Sequence, residues 1–121
     1  VEDFGVGFYT KYGDGGVDLS PIADLMKSEV YKLAAYLEVP SAIQKATPTD
    51  GLFGDSRTDE DQIGASYDEL EWAMKMQDLE KKVEDFSGRE KEVFTIYTRL
   101  NRMNQHKMIA IPVCEIPKGL K

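Results

Sequence analysis

Tyr9-Thr10-Lys11-Tyr12-Gly13-Asp14-Gly15-Gly16-Val17-Asp18-Leu19-Ser20-Pro21 brings three glycines, two aspartates and a lysine into a short run. A glycine-rich loop that cradles phosphate needs a strand before it and a helix N-terminus after it, so that free N–H groups meet the anion. Here the glycines lead into a short β-prone run and then Ser20-Pro21. The stretch from Phe8 to Leu19 therefore reads as strand, turn, strand. Asp14-Gly15 is the expected turn, because glycine accepts positive φ and aspartate tolerates the turn.

Outward from that stretch the pattern becomes helical. Ile22, Leu25, Met26, Val30, Leu33, Ala34 and Leu37 recur at helical spacing, which predicts a helix over roughly Pro21 to Leu37, started by Ser20-Pro21 or Asp24 and stopped by Pro40. Ser41 to Lys45 reads as a short helix capped by Ser41. From Thr47 to Gly64 the run T-P-T-D-G-L-F-G-D-S-R-T-D-E-D-Q-I-G breaks the pattern and is long for a structureless loop, so it is expected to be functional or mobile. Its consecutive acids, Asp59 to Asp61, read as solvated, or as the start of a helix capped by Thr58, rather than as metal ligands. Ser66-Tyr67-Asp68-Glu69 is a capping box opening a helix to about Met76, and Ser87-Gly88-Arg89-Glu90 is a second one. Between them, Asp78 to Phe86 is expected to form another helix. After Ser87, Val93, Phe94, Ile96, Tyr97, Leu100 and Met103 mark one apolar face, and the tail from Asn104 is expected to be extended or irregular. Trp72, Tyr97 and the methionines read as core or interface.

The 121 residues suit one domain with a modest core. A net charge of -7 argues against a basic face for nucleic acid or anionic membrane, while leaving room for a small anionic ligand held by a few placed lysines. No apolar run approaches the ~20 residues needed to span a bilayer. Cys114 is the only cysteine, which excludes an internal disulfide and suits a reducing compartment, so a cytoplasmic location is expected. Cys114 also lacks an identifiable base partner, so it is no nucleophile candidate.

Five blocks then stand in order. They are Phe8 to Asp18 with Pro21-Ile22 and Lys27, Ala46-Thr47-Pro48-Thr49-Asp50-Gly51-Leu52, Thr58-Asp59-Glu60-Asp61-Gln62-Ile63-Gly64, Ser66-Tyr67-Asp68-Glu69, and His106-Lys107. In order and spacing they closely resemble the ammonia-dependent NAD synthetases, over essentially the whole chain. The resemblance implies an α/β fold of the adenine nucleotide α-hydrolase kind and a homodimer. It implies adenylation of deamido-NAD with ATP and Mg2+, then displacement of AMP by ammonia. The S-G-G-x-D-S phosphate loop of that superfamily is absent from these residues, and Asp14 and Leu19 stand where its serines would be. The chain is therefore expected to be the C-terminal part of such an enzyme, mainly helical with a strand-turn-strand element first, and inactive alone. GMP synthetase-like relatives share the chemistry but not the Lys11 to Gly16 block. A non-catalytic helical interaction domain is the alternative from another class, and it has no need of the site residues together.

Carried over residue by residue, the resemblance makes Lys27 and Thr49 ATP contacts. It makes Lys11, Asp18, His106 and Lys107 contacts to deamido-NAD, and Glu2 the ligand for Mg2+. Each has a plainer reading. Lys27 could be an exposed lysine, though a cation in a helix's first turn opposes the dipole, and a bound phosphate would remove that conflict. Lys11 and Asp18 could be a solvated lysine and a strand-edge acid, and Thr49 an ordinary turn residue. His106 and Lys107 could simply suit a helix C-terminus, and one histidine makes no zinc site. Glu2 is expected at a frayed end, unable to hold metal without the rest of the enzyme.

Overall fold

The computed structural model describes residues 2–13, 16–49 and 57–121. Its ordered elements are helices: α1 (Glu2–Val6), α2 (Lys27–Tyr36), α3 (Ser41–Gln44), α4 (Asp59–Ile63), α5 (Tyr67–Asp78), α6 (Gly88–Met103) and α7 (Gln105–Met108). Single 3-10 turns cover Val83–Asp85 and Lys118–Leu120.

The core is built where α1, α5 and α6 meet. On α5, Tyr67, Leu70 and Ala73 recur every three residues and are buried, and on α6 Val93, Phe94 and Tyr97 face them. Val6 of α1 and Ile63 and Ala65 complete the cluster. Trp72 meets Phe86 edge-on at 5.0 Å and Phe94 at 6.4 Å, packing against the core. α2 lies outside this cluster and buries none of its residues. It is tied to α5 by Ser28, whose hydroxyl donates to Glu71 Oε2 at 2.8 Å.

The Ser66 capping box is present. Glu69 N–H donates to the Ser66 hydroxyl at 3.2 Å, and Ser66 N–H donates to Glu69 Oε2 at 2.9 Å. Thr58 and Asp61 form the same reciprocal pair, so α4 occupies Asp59–Ile63 inside the stretch expected to be loop. Asp50 to Ser56 lie outside the described residues.

Several sequence expectations are corrected. Among the described residues there is no strand, so the strand-turn-strand element over Phe8 to Leu19 is not there. A strand needs a partner backbone, and here local turns take the polar groups: Gly13 N–H returns to Thr10 C=O at 3.1 Å and Gly16 N–H to Gly13 C=O at 3.0 Å. Asp14-Gly15 falls outside the described residues. The helix expected from Pro21 begins at Lys27, because residues 21–25 close as turns and the start is set by two carboxylates. Glu29 accepts from Met26 N–H at 2.8 Å, and Glu2 accepts from Lys27 N–H. The helix expected over Asp78 to Phe86 shrinks to the Val83–Asp85 turn. Glu80 takes φ 55°, and Lys81 N–H closes α5 on Met76 C=O at 3.0 Å. Ser87 occupies the cap position of α6 without a side-chain cap, since Gly88 enters at φ 55° and turns the chain away. The first residues of the tail form α7 rather than extended chain.

Gly7 is the tightest point. It takes φ 70°, and a Cβ there would stand 2.2 Å from Asn104 Cβ. Gly7→Ala is expected to destabilise the fold by about 3 kcal/mol, from left-handed strain plus overpacking, measured by urea unfolding. A loss below about 1 kcal/mol would mean that α1 can move off α6 at little cost.

Arg89 joins α6 to the α4–α5 junction. Its Nε and Nη2 donate to Glu69 at 2.8 Å each, and Nη2 also reaches Gly64 C=O at 3.0 Å. That guanidinium holds the Glu69 carboxyl down to about 2, against 4.5 for a free glutamate. A depressed carboxyl stabilises the folded state fully above its unfolded value and loses the effect as pH falls through the folded one. Both groups are exposed enough for solvent to screen the pair, so its effect on stability is small. The stability gap between wild type and Arg89→Ala should narrow between pH 5 and pH 2, and an unchanged gap would remove this account.

Candidate functional site

Two cavities open on either side of Lys27. The larger, about 420 Å3, lies between α1 and the 20–27 segment and is lined by Glu2, Asp3, Tyr9, Ile22, Leu25 and Lys27 among others. The smaller, about 200 Å3, is walled by Lys27, Tyr31, Pro48, Glu60 and Tyr67. Among the described residues, Lys27 is the one that lines both.

Glu2 fixes this junction. It is 2% exposed, and both carboxylate oxygens accept from Lys27 N–H, at 2.8 and 3.0 Å. A buried carboxylate is costly unless compensated. Here the positive end of α2 compensates it, and in return it takes one of the four N–H groups that a helix start leaves open. This also answers the dipole objection to a lysine in the first turn: Glu2 supplies the negative charge there. Glu2 is thus buried in α1 rather than frayed.

The Lys27 ammonium sits over the Tyr67 ring at 5.1 Å and the Tyr31 ring at 5.8 Å. Below it, the Tyr67 hydroxyl lies 3.1 Å from Asp3 Oδ1 and 3.2 Å from Asp59 Oδ2. One hydroxyl has one proton, so the two carboxylates share a single donor. Burial raises the Asp3 carboxyl above its ordinary value, opposed by the Tyr67 hydrogen bond and the Lys27 charge. Burial, then the charges of Asp3 and Asp59, push the Tyr67 hydroxyl far above the usual tyrosine range, so it stays protonated as a donor. Asp59 Oδ1 is buried and has no partner among the described residues.

A third group grips the end of α1. Asn101 Nδ2 donates to Gly5 C=O at 2.8 Å, and Asn104 Nδ2 to Val6 C=O at 2.9 Å. Lys107 Nζ donates to Gly7 C=O at 2.7 Å and to Tyr9 C=O at 2.8 Å. Tyr9 answers by donating its hydroxyl to Lys107 C=O at 2.5 Å. The Lys107 ammonium therefore positions the Tyr9 wall of the larger cavity and is committed to backbone carbonyls.

Of the residues singled out from sequence, Glu2 and Lys27 are in direct contact. Thr49 is exposed beside Pro48, whose C=O accepts from Asp59 N–H at 3.2 Å and which lines the smaller cavity. Lys11 lies over the Tyr12 ring at 5.5 Å, and Asp18 and His106 are exposed. Among the described residues no hydrogen bond draws Lys11, Asp18 or His106 into the Glu2–Lys27 cluster. Asp3, Asp59, Tyr67, Asn101 and Asn104 were not singled out. The spacing of Asn101 and Asn104 by three was the one available signal, since i and i+3 are neighbours on a helix.

A family model described as NAD synthase matches residues 2–110. The chain belongs to the NAD synthase family. It is 47% identical over 103 residues to an NH(3)-dependent NAD(+) synthetase of Picrophilus torridus, which covers 84% of this chain and 39% of that protein. It is 40% identical over 111 residues to the one of Archaeoglobus fulgidus, covering 92% of this chain and 42% of that protein. Among solved structures it resembles the NMN synthetase of Francisella tularensis, with a TM-score of 0.76 and 29% identity over 95% of this chain and 44% of that one. The chain thus spans less than half the length of the NAD synthase relatives it matches, and shares its fold with part of that structure. Among the described residues, no helix is long and apolar enough to cross a membrane.

No cluster of three or more acidic, histidine or cysteine ligands occurs among the described residues. Mg2+ does not ask for one, since it usually keeps water and substrate phosphates beside one or two carboxylates. Glu2 lines the larger cavity, where a carboxylate is the type of donor Mg2+ takes. Glu2→Ala should cost about 1–3 kcal/mol, because it leaves the Lys27 N–H buried without its acceptor. Glu2→Gln should cost less, since an amide oxygen still accepts. Equal losses in thermal unfolding would mean that charge, not the hydrogen bond, sets the effect.

Proposed function

We propose that this chain belongs to a protein that amidates deamido-NAD to NAD, with ATP as co-substrate and ammonia as nitrogen donor. The observation that carries the reading is Lys27. It stands at the junction of two cavities with a carboxylate locked on its own N–H, in a chain whose relatives are named NH(3)-dependent NAD(+) synthetases. The whole protein would have the α/β adenine nucleotide α-hydrolase-like fold and act as a cytoplasmic homodimer. The phosphate loop S-G-G-x-D-S is not among these 121 residues, so the complete ATP site belongs to the whole protein.

The substrate carboxylate attacks the α-phosphate of ATP, pyrophosphate leaves, and ammonia then displaces AMP. No protein nucleophile is needed, so the residues position groups and offset charge. The Lys27 ammonium would face the ATP phosphates. Thr49, beside the smaller cavity, would donate its hydroxyl to phosphate or ribose. Glu2 would hold Mg2+, which supplies charge neutralisation on the phosphates. Lys11, Asp18 and His106 would contact the dinucleotide acid, with Lys107 acting through the Tyr9 wall that it holds. The segment over 47–64 would close on the site and exclude water from the adenylate.

The test is NAD formation by the full-length protein with deamido-NAD, ATP, Mg2+ and ammonium, with the mononucleotide acid offered in parallel. Lys27→Ala should lower kcat/KM for ATP about 100-fold, and this chain alone should form no NAD. An unchanged kcat/KM would remove Lys27 from the ATP site. Turnover of the mononucleotide acid alone would move the substrate toward that of the structural neighbour. Absence of amidation altogether would favour a non-catalytic interaction domain.

A further inference from the structure

Tyr67 stands where three helices and the site lysine meet. Its hydroxyl faces Asp3 on α1 at 3.1 Å and Asp59 on α4 at 3.2 Å. Its backbone N–H donates to Glu60 Oε1, also on α4, at 2.8 Å. Its ring lies under the Lys27 ammonium at 5.1 Å. Packing alone does not account for this arrangement. A buried tyrosine needs one partner for its hydroxyl, and gathering two carboxylates around one proton costs free energy that a single donor does not offset.

The use follows from what each contact holds. Both acidic side chains that dock α4 close on Tyr67, one on the hydroxyl and one on the backbone. α4 in turn carries Asp59 N–H, which holds Pro48 in the wall of the smaller cavity. When α4 is docked, the Tyr67 ring is pinned from α1 and α4 at once, and the Lys27 ammonium rests on a fixed surface. When α4 leaves, the ring keeps only its anchor on α1 and α5. We propose that Tyr67 is a positioning residue that couples the docking of α4 to the placement of the Lys27 ammonium between the two cavities.

The consequence for catalysis rests on Lys27 contacting ATP, while the coupling itself does not. Two variants of the full-length protein test it. Tyr67→Phe keeps the ring and removes the hydroxyl. Asp59→Ala touches α4 and leaves both Tyr67 and Lys27 in place. Amide exchange over 59–63 should quicken about fivefold to tenfold in each, as expected for one lost hydrogen bond. The ε-methylene resonance of Lys27, shifted by the Tyr67 ring current, should move toward its random-coil position in both. A helix that merely packs would loosen in Asp59→Ala without moving Lys27, and that result overturns the proposal. So does unchanged exchange in Tyr67→Phe. In the amidation assay both variants should raise KM for ATP about threefold to tenfold with kcat within about twofold, the signature of a lost binding geometry. If the wild type forms no NAD, the functional reading fails, and the exchange and resonance measurements still decide the coupling.

Discussion

Everything at the site hangs on one buried carboxylate. Glu2 lies in α1, inside the core, yet its oxygens accept from the first N–H of α2. The negative charge meets the positive end of a ten-residue helix. Without that contact α2 keeps, among the described residues, the Ser28–Glu71 bond and the Lys27 ammonium on the Tyr67 ring to hold it against α5, and it buries no residue of its own. The same contact decides where α2 begins and so where Lys27 points. The position of a site lysine is thus set by an acid twenty-five residues upstream.

That separation explains how much could be read from the sequence. Features carried by local patterns were legible. The apolar faces of α5 and α6, the Ser66 capping box and the Thr58 cap are set by residues within one or two turns of each other. Features set by distant partners were not. Periodicity places the start of α2 near Pro21, and the Glu29 cap together with the distant Glu2 carboxylate moves it to Lys27. Alternating β-prone residues after Gly16 suggested strands, but a strand exists only where another backbone accepts it. At Ser87 the motif was right and the geometry wrong, because Gly88 enters α6 at positive φ.

The site divides along the same line. The resemblance named Glu2 and Lys27 as site residues, and the structure puts the two in contact. The groups that hold them in place carry no motif. Tyr67 looks like the residue after a cap, and Asp59 like one of several solvated acids. The resemblance made Lys107 a ligand contact, whereas its ammonium grips the carbonyls of Gly7 and Tyr9. A cation seen in a motif does not say whether it will meet a ligand or the protein's own backbone. Only the count of carbonyls left open at the end of α1 says that.

The grip on α1 also constrains the order in which the chain can fold. Asn101, Asn104 and Lys107 reach back 96, 98 and 100 residues to the carbonyls they hold. Contacts so far apart in sequence must close a large loop before they return any free energy. α5 and α6, linked by a short turn, can associate first. α1, although it precedes them in sequence, has no completed surface to settle on until α6 has formed its last turns. During synthesis its carbonyl end therefore remains hydrated until the chain's far side leaves the ribosome, so assembly of the Glu2–Lys27 junction is a late event in the life of each molecule.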